Sequence, residues 1–125
     1  MGKSKILIIE DDKSLVSILE GAIDLEKFEI VLALEADEGI KKALSEKPAV
    51  IVLDILLPGQ SGFECLKRLK EMKETKGIPV IILSNLGQEE DVEKGKKLGA
   101  SDYMVKANFT PSQVLEKVQL LGVSK

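Results

Sequence analysis

The sequence predicts an α/β fold: a (βα)5 chain whose five parallel strands form one doubly wound sheet. Two observations predict it. Five short apolar runs, Ile6–Ile9, Ile30–Leu34, Val50–Leu53, Val80–Leu83 and Tyr103–Val105, alternate with longer amphipathic stretches. The runs are continuous rather than alternating, the pattern of strands covered on both faces and therefore of a parallel sheet.

The stretches between the runs read as helices in order. Leu15, Ile18, Leu19, Ala22 and Ile23 form the apolar stripe of the first. Ile40, Ala43 and Leu44 mark the second, which ends near Pro48. Ser61 with Glu64 reads as a capping box for the third, followed by Leu66, Leu69 and Met72. The fourth, Gln88–Leu98, is mostly charge, with Val92 and Leu98 as its clearest apolar contacts. Its Gly95 costs roughly 1 kcal/mol relative to Ala in a helix interior. It reads as a solvated surface helix, or more sharply as one of low local stability. Thr110, Pro111 and Gln113 read as N-cap, N1 and N3 of the last helix, which buries Val114, Leu115, Val118 and Leu121.

Parallel strands need right-handed crossovers with helices on both faces. The expected strand order is 2-1-3-4-5, the flavodoxin-like arrangement, with strands 1 and 3 side by side at the topological switch point. Ligands of such sheets bind at the carboxyl ends of the strands there.

Bulk properties narrow the function. The 125 residues fit a single domain, 1–125, either a complete small protein or a domain of a larger one. With 44% hydrophobic and 31% charged residues, a soluble, well-cored globule is expected. A net charge of −3 argues against non-specific binding to nucleic acid or anionic membrane. The single cysteine, Cys65, offers no disulfide framework, so a cytoplasmic location is expected. The chain has no histidine, which removes the usual zinc sites and Ser–His or Cys–His catalysis. The first apolar run is too short for a signal-peptide core or a membrane span.

The strand ends carry the chemistry. Glu10, Asp11 and Asp12 follow the first run, Asp54 the third, Ser84 the fourth and Lys106 the fifth. All would meet at one sheet edge. Glu10, Asp11 and Asp54 against Lys106 leave two negative charges, which one Mg²⁺ would balance. Mg²⁺ prefers such hard oxygen ligands. Taken singly, each residue has a plain structural reading. A strand-end Asp is a turn or cap residue, Ser84 a turn hydroxyl, Lys106 a solvated amine and Tyr103 a core ring. The functional reading gains its force from their occurring together.

These residues bring a family into view. The chain resembles a response regulator receiver domain, the phosphoacceptor half of two-component signalling, over essentially its whole length. The resemblance rests on Glu10-Asp11, on Asp54-Ile55-Leu56-Leu57-Pro58 with Gly62, on Ser84, and on Gly99-Ala100-Ser101-Asp102-Tyr103-Met104-Val105-Lys106. It implies that Asp54 takes a phosphoryl group from a phosphohistidine on a sensor histidine kinase or phosphotransfer protein. It also implies that Mg²⁺ is held by Asp11, Asp54 and the Leu56 backbone carbonyl, with Glu10 reaching it through water. Ser84 and Lys106 then bind the phosphoryl group, and Tyr103 is the switch aromatic. Asp12 falls outside the acid pair and reads as a helix cap.

The chain departs from the family pattern in places. Where the family usually has Pro after the lysine, often with a cis bond, this chain has Ala107-Asn108-Phe109. A cis bond before Ala costs about 3–4 kcal/mol, so a longer loop with a trans bond is expected. Asn85 stands where the residue after Ser84 is usually small. Leu56 and Leu86 line the path of the hydrolytic water in the family. Both are apolar, so a long-lived phosphorylated state is expected.

Three rivals are weaker. A Mg²⁺-dependent phosphatase of the Asp-x-Asp kind lacks its second Asp, because Leu56 stands there. A flavodoxin-type cofactor binder needs a phosphate-cradling loop after strand 1, and Glu10-Asp11-Asp12 would repel phosphate. A phosphorylation-independent docking module would be expected to have lost one of the acids or Lys106. The expected output is a protein contact, made by helix 4, strand 5 and helix 5 on an unknown target. The protein is expected to be a monomer or a phosphorylation-dependent dimer.

Overall fold

A computed structural model describes residues 3–122. The elements run β1 (Ser4–Ile9), α1 (Lys13–Ala22), β2 (Phe28–Ala33), α2 (Ala36–Glu46), β3 (Val50–Leu53), α3 (Gly62–Glu71), β4 (Val80–Ser84), α4 (Glu89–Lys97), β5 (Asp102–Val105) and α5 (Pro111–Gly122). A single 3₁₀ turn, Lys106–Asn108, joins β5 to α5. The strands form one parallel sheet in the order β2-β1-β3-β4-β5. The α/β class and the 2-1-3-4-5 order follow the sequence expectation.

Side chains of a strand alternate between the two faces, and the core divides accordingly. Leu7, Ile9, Ile51, Leu53, Val80, Ile82 and Tyr103 pack with α2 and α3 on one face. Ile6, Ile8, Val50, Val52, Ile81, Leu83 and Met104 pack with α1 and α5 on the other. Alternation carries this sorting past the strand ends. Glu10, Asp54 and Lys106 fall on the α1/α5 face, and Ser84 falls with Tyr103 on the opposite face.

Register sets the acid pair. Ile9 pairs with Leu53 across β1 and β3, so Glu10 and Asp54 are the next residues on adjacent strands. The ladder continues through them. The Asp54 amide donates to Ile9 O at 3.0 Å and the Glu10 amide to Ala33 O at 3.0 Å.

Several local expectations are corrected. On α1 the inner line is Val16, Leu19 and Ile23, while Ile18 is 50% exposed and Ala22 is also exposed. Residues 16, 19 and 23 share one side of a 3.6-residue helix, and residue 18 is turned away from it. β2 starts at Phe28 and stops before Leu34, which is exposed. On α2, Ala36, Gly39, Ile40 and Ala43 are buried and Leu44 is exposed.

The caps are partly as read. Asp12 Oδ1 accepts from the Leu15 amide at 3.2 Å and caps α1. Thr110 and Gln113 form the reciprocal box. The Gln113 amide donates to Thr110 Oγ1 at 3.2 Å, and the Thr110 amide to Gln113 Oε1 at 2.8 Å. Ser61 caps α3 through the Phe63 amide at 3.1 Å rather than through Glu64, so only half of that box forms.

Candidate phosphoryl-acceptor site

Asp54 leaves β3 with its backbone still held by β1 and its side chain buried. Its Oδ1 accepts the Leu56 amide at 3.0 Å. Its Oδ2 accepts the Lys106 ammonium at 3.2 Å. The same ammonium donates to Glu10 Oε1 at 2.5 Å. Glu10 Oε2 accepts the Asp11 amide at 3.2 Å, which orients the carboxylate back over its own strand end. Residues 96 and 52 positions apart in sequence thus meet at one ammonium.

Glycine makes one approach possible. At Gly62 a Cβ would lie 2.3 Å from Asp54 O and 2.5 Å from Ile55 Cα. The Gly62 amide donates to Ile55 O at 2.9 Å. The first residue of α3 is therefore pressed directly onto the backbone at the end of β3. Gly62 belonged to the sequence motif, but the motif alone assigned it no contact.

Burial and crowding set the ionisation. Desolvation, joined by the neighbouring Asp54, pushes the Glu10 carboxyl up to about 7 against the pull of Lys106. Burial also pushes Asp54 upward, but the hydrogen bond with Glu10, the Leu56 amide and Lys106 outweigh it and hold Asp54 below its ordinary value. Of the two carboxyls, Glu10 is the one held toward its protonated form and Asp54 the one held toward its ionised form. Burial lowers Lys106, but its two carboxylate partners more than compensate and raise it.

One oxygen each from Glu10, Asp11 and Asp54 lie within 4.8 Å of one another. Asp11 is exposed while the other two are buried, so the cluster opens to solvent on the Asp11 side. Such an all-carboxylate, hard-oxygen donor set fits Mg²⁺.

The other predicted residues lie elsewhere on the same edge. Ser84 ends β4 opposite Val105 and is fully buried, its Oγ accepting the Leu86 amide at 3.3 Å. Among the described residues no hydrogen bond joins it to Asp54 or Lys106. The buried Tyr103 donates its hydroxyl to Leu86 O at 2.5 Å. Burial, with lesser contributions from Asp91 and Asp54, pushes its phenol up to about 12. The Leu56 side chain is exposed and Leu86 half-buried. The Lys106–Ala107 bond is trans, as the sequence predicts, and the extra loop residue is taken up in the 3₁₀ turn.

Comparison with known proteins identifies the family. Residues 6–119 match the model of the response regulator receiver domain. The chain belongs to that family. It is 36% identical over 117 residues to the alkaline phosphatase synthesis transcriptional regulatory protein PhoP of Bacillus subtilis (strain 168), covering 94% of this chain and 48% of that protein. It is 35% identical over 103 residues to protein PilH of Pseudomonas aeruginosa, covering 82% of this chain and 85% of PilH. The chain thus spans about half the length of PhoP but most of PilH. Among solved structures, the chemotaxis response regulator CheY4 of Vibrio cholerae superposes with a TM-score of 0.84 at 26% identity, covering 96% of this chain and 99% of that one. The BeF3-activated DrrB receiver domain gives 0.83 at 29% identity, covering 96% and 97%. The protein is therefore a receiver domain of a two-component response regulator. No helix among the described residues is long and apolar enough to cross a membrane.

Proposed function

We propose that Asp54 is the phosphoacceptor of a two-component signalling switch. A carboxylate oxygen of Asp54 attacks phosphorus on a phosphohistidine of a sensor histidine kinase or phosphotransfer protein. The new O–P bond forms as the P–N bond breaks, and the leaving imidazole nitrogen takes a proton from solvent. Asp11, Asp54 and the Leu56 carbonyl would hold Mg²⁺, with Glu10 acting through water. The ion supplies positive charge that offsets repulsion between the nucleophile and the phosphoryl oxygens.

The chain's own groups do the rest. Lys106 follows the added negative charge and pairs with the phosphoryl group. Ser84 gives up the Leu86 amide and donates its hydroxyl to a phosphoryl oxygen. Tyr103 follows Ser84, and the face of α4, β5 and α5 changes its affinity for a protein target. The phosphoryl group thus acts as a ligand that biases a two-state equilibrium. The domain works as one unit, in the cytoplasm, as a monomer or a phosphorylation-dependent dimer, without contacting nucleic acid itself. The self-modification of Asp54 is its whole chemistry, and it turns over no separate substrate. The observation that supports this reading best is the Asp54 carboxylate, buried, bonded to Lys106 and gathered with two further acids.

The test is incubation with Mg²⁺ and acetyl phosphate followed by intact-mass measurement. Wild type should gain one phosphoryl group and Asp54→Asn none. An equal gain in both would overturn the assignment of Asp54.

A further inference from the structure

Helix α4 carries seven charged residues in nine, and Gly95 is its one buried residue. A Cβ at Gly95 would lie 2.6 Å from Ile82 Cδ1, 2.9 Å from Tyr103 Cδ2 and 3.3 Å from Tyr103 Cε2. Real Cβ atoms essentially never come within 3.0 Å of such neighbours. Gly95 lies within the regular helix, and its backbone is not in the left-handed region that favours glycine. What glycine supplies here is missing volume. The Ile82 methyl is the end of a flexible side chain and can turn away. The Tyr103 ring is rigid and is held at its far end by the bond from its hydroxyl to Leu86 O.

The two contacts complete a path across the edge. The Leu86 amide binds Ser84 Oγ, the Leu86 carbonyl binds the Tyr103 hydroxyl, and the ring lies against Gly95. We infer that Gly95 is a positioning residue: the bare backbone of α4 at this point is the notch that lets the Tyr103 ring lie inside. With the notch filled, ring and helix cannot both keep their places. The packing claim stands without phosphorylation, and its use as a signal rests on the function proposed above. Coupling of this kind is reciprocal, so a partner that grips α4 would also shift the ring.

The adjacent residue provides a control. The Lys94 ammonium lies 4.6 Å from the centre of the Phe63 ring and so ties α4 to α3 rather than to β5. Removing it should loosen the helix without moving Tyr103.

Tyr103 is the only tyrosine, and the chain has no tryptophan, so intrinsic fluorescence reports this ring alone. The experiment measures acrylamide quenching of that fluorescence, and amide exchange of residues 89–98, in unphosphorylated protein without a phosphodonor. Gly95→Ala should raise the quenching constant several-fold and speed exchange in α4 about tenfold, the scale expected of an overpacked methyl. Lys94→Gln should speed exchange about twofold, the scale of an exposed cation–π contact, and leave quenching unchanged. Quenching of Gly95→Ala equal to wild type overturns the inference, as does raised quenching in Lys94→Gln. Should Gly95→Ala not fold, the pair Tyr103→Leu with Gly95→Ala decides. With the ring gone the methyl has room, so the double variant should fold and exchange α4 as slowly as Tyr103→Leu alone. A further loss in the double variant overturns the inference. A protein that takes up no phosphoryl group would leave these results standing.

Discussion

On one face of the sheet Glu10, Asp54 and Lys106 lie toward α1 and α5, and on the other Ser84 and Tyr103 lie toward α4. The first group is charged, mutually bonded and fixed by register. Ile9 pairs with Leu53, and the ladder runs on through the Asp54 amide. The second group depends on neutral contacts: two hydroxyl bonds, both to the backbone of Leu86, and a glycine notch in a helix with little else buried. The same sheet edge therefore has a stiff, charged side and a soft, neutral one, which the proposed function would use for chemistry and for its detection. Elements that move are drawn from the weakly packed parts of a fold, and α4 fits that description far better than β3.

The sharpest way to break this comparison is to disturb the stiff side through its backbone. Gly62→Ala places a methyl against Asp54 O and Ile55 Cα, neither of which can rotate away. Urea unfolding should show a loss of about 3 kcal/mol, the upper end for overpacking. Gly21→Ala meets nothing within 4 Å in α1 and should be neutral or slightly stabilising, by under about 1 kcal/mol. Equal tolerance at the two positions would mean that α3 is not pressed on the end of β3.

Acid titration probes the same side. In the metal-free protein the Glu10 carboxyl ionises at about 7, against 4.5 for an unperturbed one. Between those values the folded protein keeps a proton that the unfolded chain has lost. Stability should therefore fall as pH rises from about 5 to 8, by about 2–3 kcal/mol. Asp54 is shifted the other way, and its contribution is lost only at lower pH. Glu10→Gln should flatten the slope, and a flat wild-type profile would contradict the crowded-acid account. A smaller effect is expected from Leu56→Asn, which offers a polar group to the hydrolytic water. The phosphorylated form should decay about tenfold faster, equivalent to about 1.4 kcal/mol of barrier. An unchanged or longer lifetime would remove Leu56 from the protection of the phosphoryl group.

What could be read in the sequence was whatever depends on spacing along the chain. The five apolar runs gave the parallel sheet, and the short-range Thr110–Gln113 and Asp12 caps were visible three residues apart. Alternation also places residues 10 and 54 on the same face as residues 8 and 52. Val16 was harder to see, because Ile18 offers an equally apolar but outward-facing side chain. The bridge from Lys106 to Glu10 joins residues 96 apart and follows only once strand order and register are known. The glycines were the least legible. Gly95 reads as a helix weakness in sequence, yet its lack of a side chain is what lets Tyr103 lie against α4. No periodicity records what an absent Cβ makes room for.

The central claim is that the buried acid at the end of β3 is the group that is modified. Peptide mapping of protein treated with Mg²⁺ and acetyl phosphate, after borohydride reduction of the acyl phosphate, tests it most directly. The account predicts a single reduced residue, at Asp54, and none when Mg²⁺ is chelated. Label at Asp11, Asp12 or Glu10 in place of Asp54, or equal label without Mg²⁺, would contradict it.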